Sequence, residues 1–220
     1  MNSLVSQLKQ RGLVWQASAA PDLPQGAALP FPDLDKQLPQ PVMHHRLIEI
    51  QSLVGIGELR LLLPSLAGHL KKTQRQLAFI APPYQLSSDA LHYSNFDLSK
   101  IWVIPTEQQQ NALWAAEQCL RNGCCLSVIA WLPHLSHAQT KRLVLAAQEG
   151  QSHIFVLRPL QSDSLGHGLC LQVAPHSRGL TIEVKRSQGG WPPPPFDVDL
   201  NDSWPMLTLP ATINTLKRAS

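Results

Sequence analysis

The chain has 220 residues, 44% of them hydrophobic and only 15% charged, with a net charge of +3 from 18 basic and 15 acidic side chains. The apolar share supports a packed core, and the charged share falls below the roughly 25% usual for soluble domains, as expected of a surface that a partner covers. So weak a positive charge excludes a dedicated nucleic-acid binder and leaves room only for weak, salt-sensitive DNA contact. No apolar run reaches the roughly 18 residues of a membrane span, and the segment from Met1 to Arg11 lacks the apolar core of an export signal, so a cytoplasmic location is expected.

In chain order, Ser3 to Arg11 reads as a short helix with Leu4, Val5 and Leu8 on one face, followed by a strand-like patch at Leu13, Val14 and Trp15. Prolines at 21, 24, 30, 32, 39 and 41 argue against regular structure up to Pro41. Residues 1–45 are thus expected to form an arm and linker, 46–187 an α/β core, and 188–220 a Pro/Trp-rich tail.

The core begins with a strand at Arg46–Ile50, then a glycine turn, then a helix carrying Leu59, Leu62, Leu63, Leu66 and Leu70 at helical spacing. Further apolar strands follow at Gln76–Ala81, Ile101–Ile104, Cys125–Leu132 and His153–Arg158. Between them lie helices at Ser87–Tyr93, from a Thr106 cap to Arg121 with Glu107 in its first turn, and at Ser136–Gln148. Trp102 and Trp114 read as packing residues, and Trp131, at a strand end where such sheets bind ligands, as a core or rim residue or, alternatively, a partner contact. Two last strands, Leu169–Val173 and Leu180–Lys185, are joined by a short turn and are expected to pair antiparallel. The expected fold is a mostly parallel sheet flanked by helices, ending in antiparallel edge strands.

Cys119, Cys124, Cys125 and Cys170 include no C-x-x-C pair and read as buried free thiols of a reducing compartment, with Cys124 and Cys125 on opposite faces of a strand. No spacing of His, Cys, Asp or Glu predicts a metal, and no nucleophile–base arrangement stands out. Metal, cofactor and catalytic residues are therefore expected to be absent.

The most informative motif is the turn Gly55-Ile56-Gly57-Glu58-Leu59-Arg60. Strand, glycine turn and helix form the setting in which G-x-x-x-x-G-K-[ST] cradles phosphates with backbone N–H groups, a lysine and a Mg²⁺-binding hydroxyl. Here Glu58 stands at the lysine position and Leu59 at the hydroxyl position. A carboxylate repels a triphosphate, and leucine holds no metal. The loop is read as a degenerate cofactor site formed by Gly55, Gly57, Glu58 and Leu59.

Several short segments in order carry a resemblance: Phe31–Pro39 with its L-D-x-x-L pattern, Gly55–Pro64, Ile80–Pro83, Ala112–Gln118, Ala130–Leu132 and Leu157–Pro159. They resemble the RecA core and, within that superfamily, the ImuA/SulA family. The resemblance implies a RecA-like fold and identifies two further catalytic positions, occupied here by Pro83 instead of a water-orienting glutamate and by Ala130 instead of a Mg²⁺-supporting aspartate. With all four groups replaced, phosphoryl transfer lacks its machinery.

The ImuA likeness implies a non-catalytic adaptor of the SOS response to DNA damage that supports error-prone translesion synthesis. Its implied partners are RecA, an ImuB-like Y-family polymerase homologue and, through these, an error-prone replicative polymerase. The alternative implied by SulA is a cell-division inhibitor that binds the tubulin homologue FtsZ. The SulA pattern is shorter at the N-terminus and lacks a Trp-Pro-rich C-terminal extension, which favours the adaptor. Candidate partner contacts are Leu4, Leu8, Val14 and Trp15 on the arm, Glu58 and Arg60 after the glycine turn, and Trp191, Phe196 and Trp204 in the tail.

Overall fold

A computed structural model describes residues 31–201 and Trp204. The arm candidates Leu4, Leu8, Val14 and Trp15 lie outside the described residues.

Eight strands form one mixed sheet: β1 (Leu47–Ser52), β2 (Gln76–Ile80), β3 (Ile101–Ile104), β4 (Cys125–Trp131), β5 (His153–Pro159), β6 (Leu169–His176), β7 (Gly179–Arg186) and β8 (Phe196–Asp199). Their spatial order is β3-β2-β4-β5-β1-β6-β7-β8. The first six are parallel, whereas β6–β7 and β7–β8 pair antiparallel. This is the expected mostly parallel α/β sheet with an antiparallel C-terminal edge.

Parallel neighbours require crossovers, and these supply the covering layers. The helices are α1 (Pro32–Asp35), α2 (Glu58–Leu70), α3 (Ser88–Tyr93), α4 (Gln109–Arg121) and α5 (His137–Glu149). Strand alternation divides the core in two. Ile48, Ile50, Phe79 and Phe155 pack with Leu61, Leu62 and Leu66 of α2 on one face. Leu47, Ala78, Val128 and Ile154 pack with Ala116 and Leu120 of α4 and Leu143 and Ala147 of α5 on the other. Each such fully buried large side chain contributes about 1.5–3 kcal/mol.

Helix ends follow local chemistry. The Ser87 hydroxyl accepts the Ala90 N–H at 3.2 Å. Ser136 and Gln139 form a reciprocal capping box, each side-chain oxygen accepting the other's backbone N–H. Gly123 follows α4 at a φ of +65°, a left-handed conformation suited to glycine. The α4 helix itself starts at Gln109, later than the expected Thr106 cap, because Gln108 is extended and the Thr106 hydroxyl bonds the Gln108 carbonyl. Glu107 therefore precedes the helix.

Five further expectations need correction. Regular structure does occur in the proline-rich segment: Pro32 takes a first-turn position of α1, where a missing N–H costs nothing. Phe31, Leu34 and Val42 are buried in the core, and the Asp35 carboxylate accepts N–H bonds from Phe31 (3.1 Å) and Val42 (2.7 Å), so the packed body starts before residue 46. Trp102 and Trp114 are not core residues; they lie exposed on the edge strand β3 and on α4. Cys124 precedes β4, and its Sγ lies 3.9 Å from that of Cys125 instead of across the sheet. The tail is not a separate appendage, since β8 pairs with β7 and Trp204 is buried.

Candidate functional site

The carboxyl ends of β1, β2, β4 and β5 meet at one sheet edge, where open α/β sheets bind their ligands. A cavity of about 320 Å³ opens there. Ser52 and Val54 line it from the end of β1, Ala81 and Pro83 from β2, Trp131 and Pro133 from β4, and Leu157, Arg158 and Pro159 from β5. Glu58 of α2 and Thr106, Glu107, Gln109 and Ala112 around the start of α4 complete the lining. Trp131 is half-buried and stacks on Phe79 with ring centroids 6.5 Å apart and planes at 27°.

The glycine turn sets how α2 enters. Gly55 and Gly57 take φ of +84° and +96°, a left-handed region that costs other residues strain. Gly57 is the N-cap of α2, and a Cβ there would collide with the Arg60 guanidinium. Glu58 is thus the first residue of the helix. The residue is 5% exposed, not the solvated helix start that a surface carboxylate would make. The positive end of the helix favours this carboxylate in its first turn. Glu58 Oε2 is buried and has no hydrogen-bond partner among the described residues.

A second buried carboxylate lies close by, and it is fully engaged. Glu49, in the middle of β1, is 0% exposed. Its Oε1 accepts from Arg158 Nη1 at 2.7 Å and from Gln51 Nε2 at 2.9 Å, and its Oε2 accepts the Leu165 N–H at 2.9 Å. Arg158 also donates to the Asp163 carbonyl at 2.6 Å and to the Pro133 carbonyl at 3.2 Å, while Gln51 donates to the Ser162 carbonyl at 2.8 Å. This network clamps the segment between β5 and β6 against the sheet. Burial, then the Glu49 charge, pushes the neighbouring Cys170 thiol up to about 12, so it stays protonated and a poor nucleophile.

The sequence reading passed over Glu49, Gln51 and Arg158. Polar residues two apart in β1 share one face, and that spacing within an otherwise apolar strand was the available signal. The arginine that pairs with them lies more than a hundred positions away, beyond the reach of local pattern.

The predicted contact residues separate in space. Glu58 faces the sheet-edge cavity. Half-buried Arg60 lines a different one, of about 380 Å³, with Phe31, Leu61, Pro64 and Leu200. Leu59 is half-buried against the core. Of the tail aromatics, Trp191 is 91% exposed, Phe196 is half-buried in β8, and Trp204 is 4% exposed. Trp204 Nε1 donates to the Arg60 carbonyl at 3.1 Å, so this ring anchors the chain to its own body and is not an open partner contact.

Fold and site together define an α/β protein with a buried carboxylate, Glu58, after a glycine turn at the carboxyl edge of its parallel strands. Residues 54–153 match the family model described as cell division inhibitor SulA. Cell division inhibitor SulA of Yersinia pestis (strain Pestoides F) is 34% identical over 118 residues, which span 54% of this chain and 70% of the relative. The same figures hold for SulA of Yersinia pseudotuberculosis serotype O:1b (strain IP 31758). The crystal structure of SulA from Pseudomonas aeruginosa matches at 30% identity with a TM-score of 0.43, covering 51% of this chain and 97% of that one. The chain belongs to the SulA family. Among the described residues no helix is long and apolar enough to cross a membrane.

Proposed function

We propose that the protein is a non-catalytic cell-division inhibitor of the SulA type that acts by binding FtsZ. The observation that carries this reading is the 34% identity extending over 70% of its SulA relatives. The site chemistry supports it. Glu58, Leu59, Pro83 and Ala130 supply neither the cation, the metal-binding hydroxyl, the water-orienting carboxylate nor the Mg²⁺-supporting aspartate that phosphoryl transfer uses. Such a protein works by occupying a surface of its partner. The test is assembly of purified FtsZ with GTP, followed by light scattering while the full chain is titrated in. Inhibition that saturates with the added protein is expected, and unchanged assembly at excess protein overturns the reading.

A second reading is the ImuA-type adaptor of translesion synthesis, with RecA and an ImuB-like polymerase homologue as partners. One observation favours it: β6, β7 and β8 extend the sheet beyond the matched residues 54–153 and present an exposed Trp191. Co-sedimentation with RecA filaments and capture by an ImuB-like protein test this reading, and binding to neither removes it.

A further inference from the structure

We propose that the sheet-edge cavity receives one lysine or arginine side chain of the protein partner, with the aliphatic stem against Trp131 and Leu157 and the cationic head on Glu58. This deepens the proposed function and rests on its premise that the molecule acts by binding another protein.

Three observations converge. First, Glu58 is 95% buried, lines the cavity, and carries an oxygen with no donor among the described residues. A buried acceptor left unpaired costs about 1–3 kcal/mol, more when charged, and a donor arriving from outside recovers that cost once the carboxylate turns its sealed Oε2 toward the cavity. Second, the cavity has the wrong charge for an anion. Glu58 and Glu107 both line it, and its lining cation, Arg158, is already held by Glu49 at 2.7 Å and by two carbonyls. Third, Ala81, Pro83, Trp131 and Leu157 make apolar walls above the carboxylate. Long cationic side chains bury their methylene stems on such walls while the head seeks charge. At about 320 Å³ the cavity lies at the lower end of ligand sites, which suits one inserted side chain. A phosphate meets two carboxylates here, and a purely apolar group leaves Glu58 unpaired.

The test uses the full chain with ¹³C-labelled Ala and Leu methyl groups, so that Ala81, Ala112 and Leu157 report on the cavity by NMR. The probes are N-acetyl-arginine amide, N-acetyl-lysine amide and the neutral isostere N-acetyl-citrulline amide. Saturable shifts of these three residues are expected with at least one of the two cationic probes, with binding about tenfold or more weaker for citrulline. In Glu58→Gln the discrimination between arginine and citrulline disappears. Equal binding of citrulline in the wild type, or no saturable shift with either cationic probe, overturns the proposal; neither outcome depends on the variant folding. FtsZ assembly run in parallel separates this inference from its premise. If the wild type inhibits assembly and a folded Glu58→Gln inhibits equally well, the inference fails and the proposed function stands. If the cationic probes bind but FtsZ is unaffected, the cavity chemistry stands and the choice of FtsZ fails.

Discussion

Two buried glutamates near one sheet edge do opposite work. Glu49 has a donor for each oxygen, from Arg158, Gln51 and the Leu165 backbone, and sits in the middle of a strand. Glu58 sits at the start of a helix, with one oxygen unpartnered among the described residues, and faces a cavity. Burial of charge alone therefore does not identify a functional group. Glu49 is a satisfied structural clamp, whereas Glu58 combines an oxygen unpartnered among the described residues with a position on a cavity wall.

The largest effect that would break this contrast is expected at Arg158. Arg158→Ala leaves Glu49 buried and uncompensated, and the loss is expected to be about 3–5 kcal/mol by urea unfolding. A loss below about 1 kcal/mol would show that Glu49 is not clamped as the geometry implies.

Acid pH probes the opposite end of the same strands. Burial holds His45 and His153 at a pKa of about 4 each, below the ordinary 6.5. Between pH 6.5 and 4 the unfolded chain binds protons that the folded chain refuses. Stability is therefore complete above about 6.5 and falls as pH drops, by up to about 1.4 kcal/mol per pH unit for each histidine. Unfolding midpoints measured across that window check this. In His153→Gln the dependence is expected to be shallower.

Trp204→Phe keeps the buried ring but removes the Nε1 donor to the Arg60 carbonyl, for an expected loss of about 1 kcal/mol. A larger effect would mean that Trp204 is tied to α2 more firmly than by this bond. The smallest effect is expected at Glu58→Gln. Losing an unpaired buried charge and losing a carboxylate favoured by the helix dipole oppose each other, so stability stays within about 1 kcal/mol of wild type. A cost as large as that of Arg158→Ala would place Glu58 among the structural clamps and erase the contrast.

Much of the fold was legible because parallel strands covered on both faces leave unbroken apolar runs, and Cys125–Trp131 and His153–Pro159 stand out for that reason. The helix beginning at Ser136 was also readable, and the structure adds its Ser136–Gln139 capping box. Tertiary placement was not. Trp102 and Trp114 have the composition of core residues, but which strand forms the sheet edge and which helix face looks outward are settled by the order of the whole sheet. The prolines near Pro32 and in the tail hid α1 and β8, whose stability comes from burying Phe31 and Leu34 and from pairing with β7. At the site, Glu58 was visible as a misplaced carboxylate, but its burial was not. The Glu49–Arg158 pair, split between strands distant in sequence, left no local trace.

We propose that the Glu58 carboxylate stands where a nucleotide-binding loop would hold a phosphate, so that this turn serves protein contact and not nucleotide binding. Calorimetric titration of the full chain with MgATP tests this most directly. No saturable heat is expected for the wild type, and a saturable binding heat would contradict the claim.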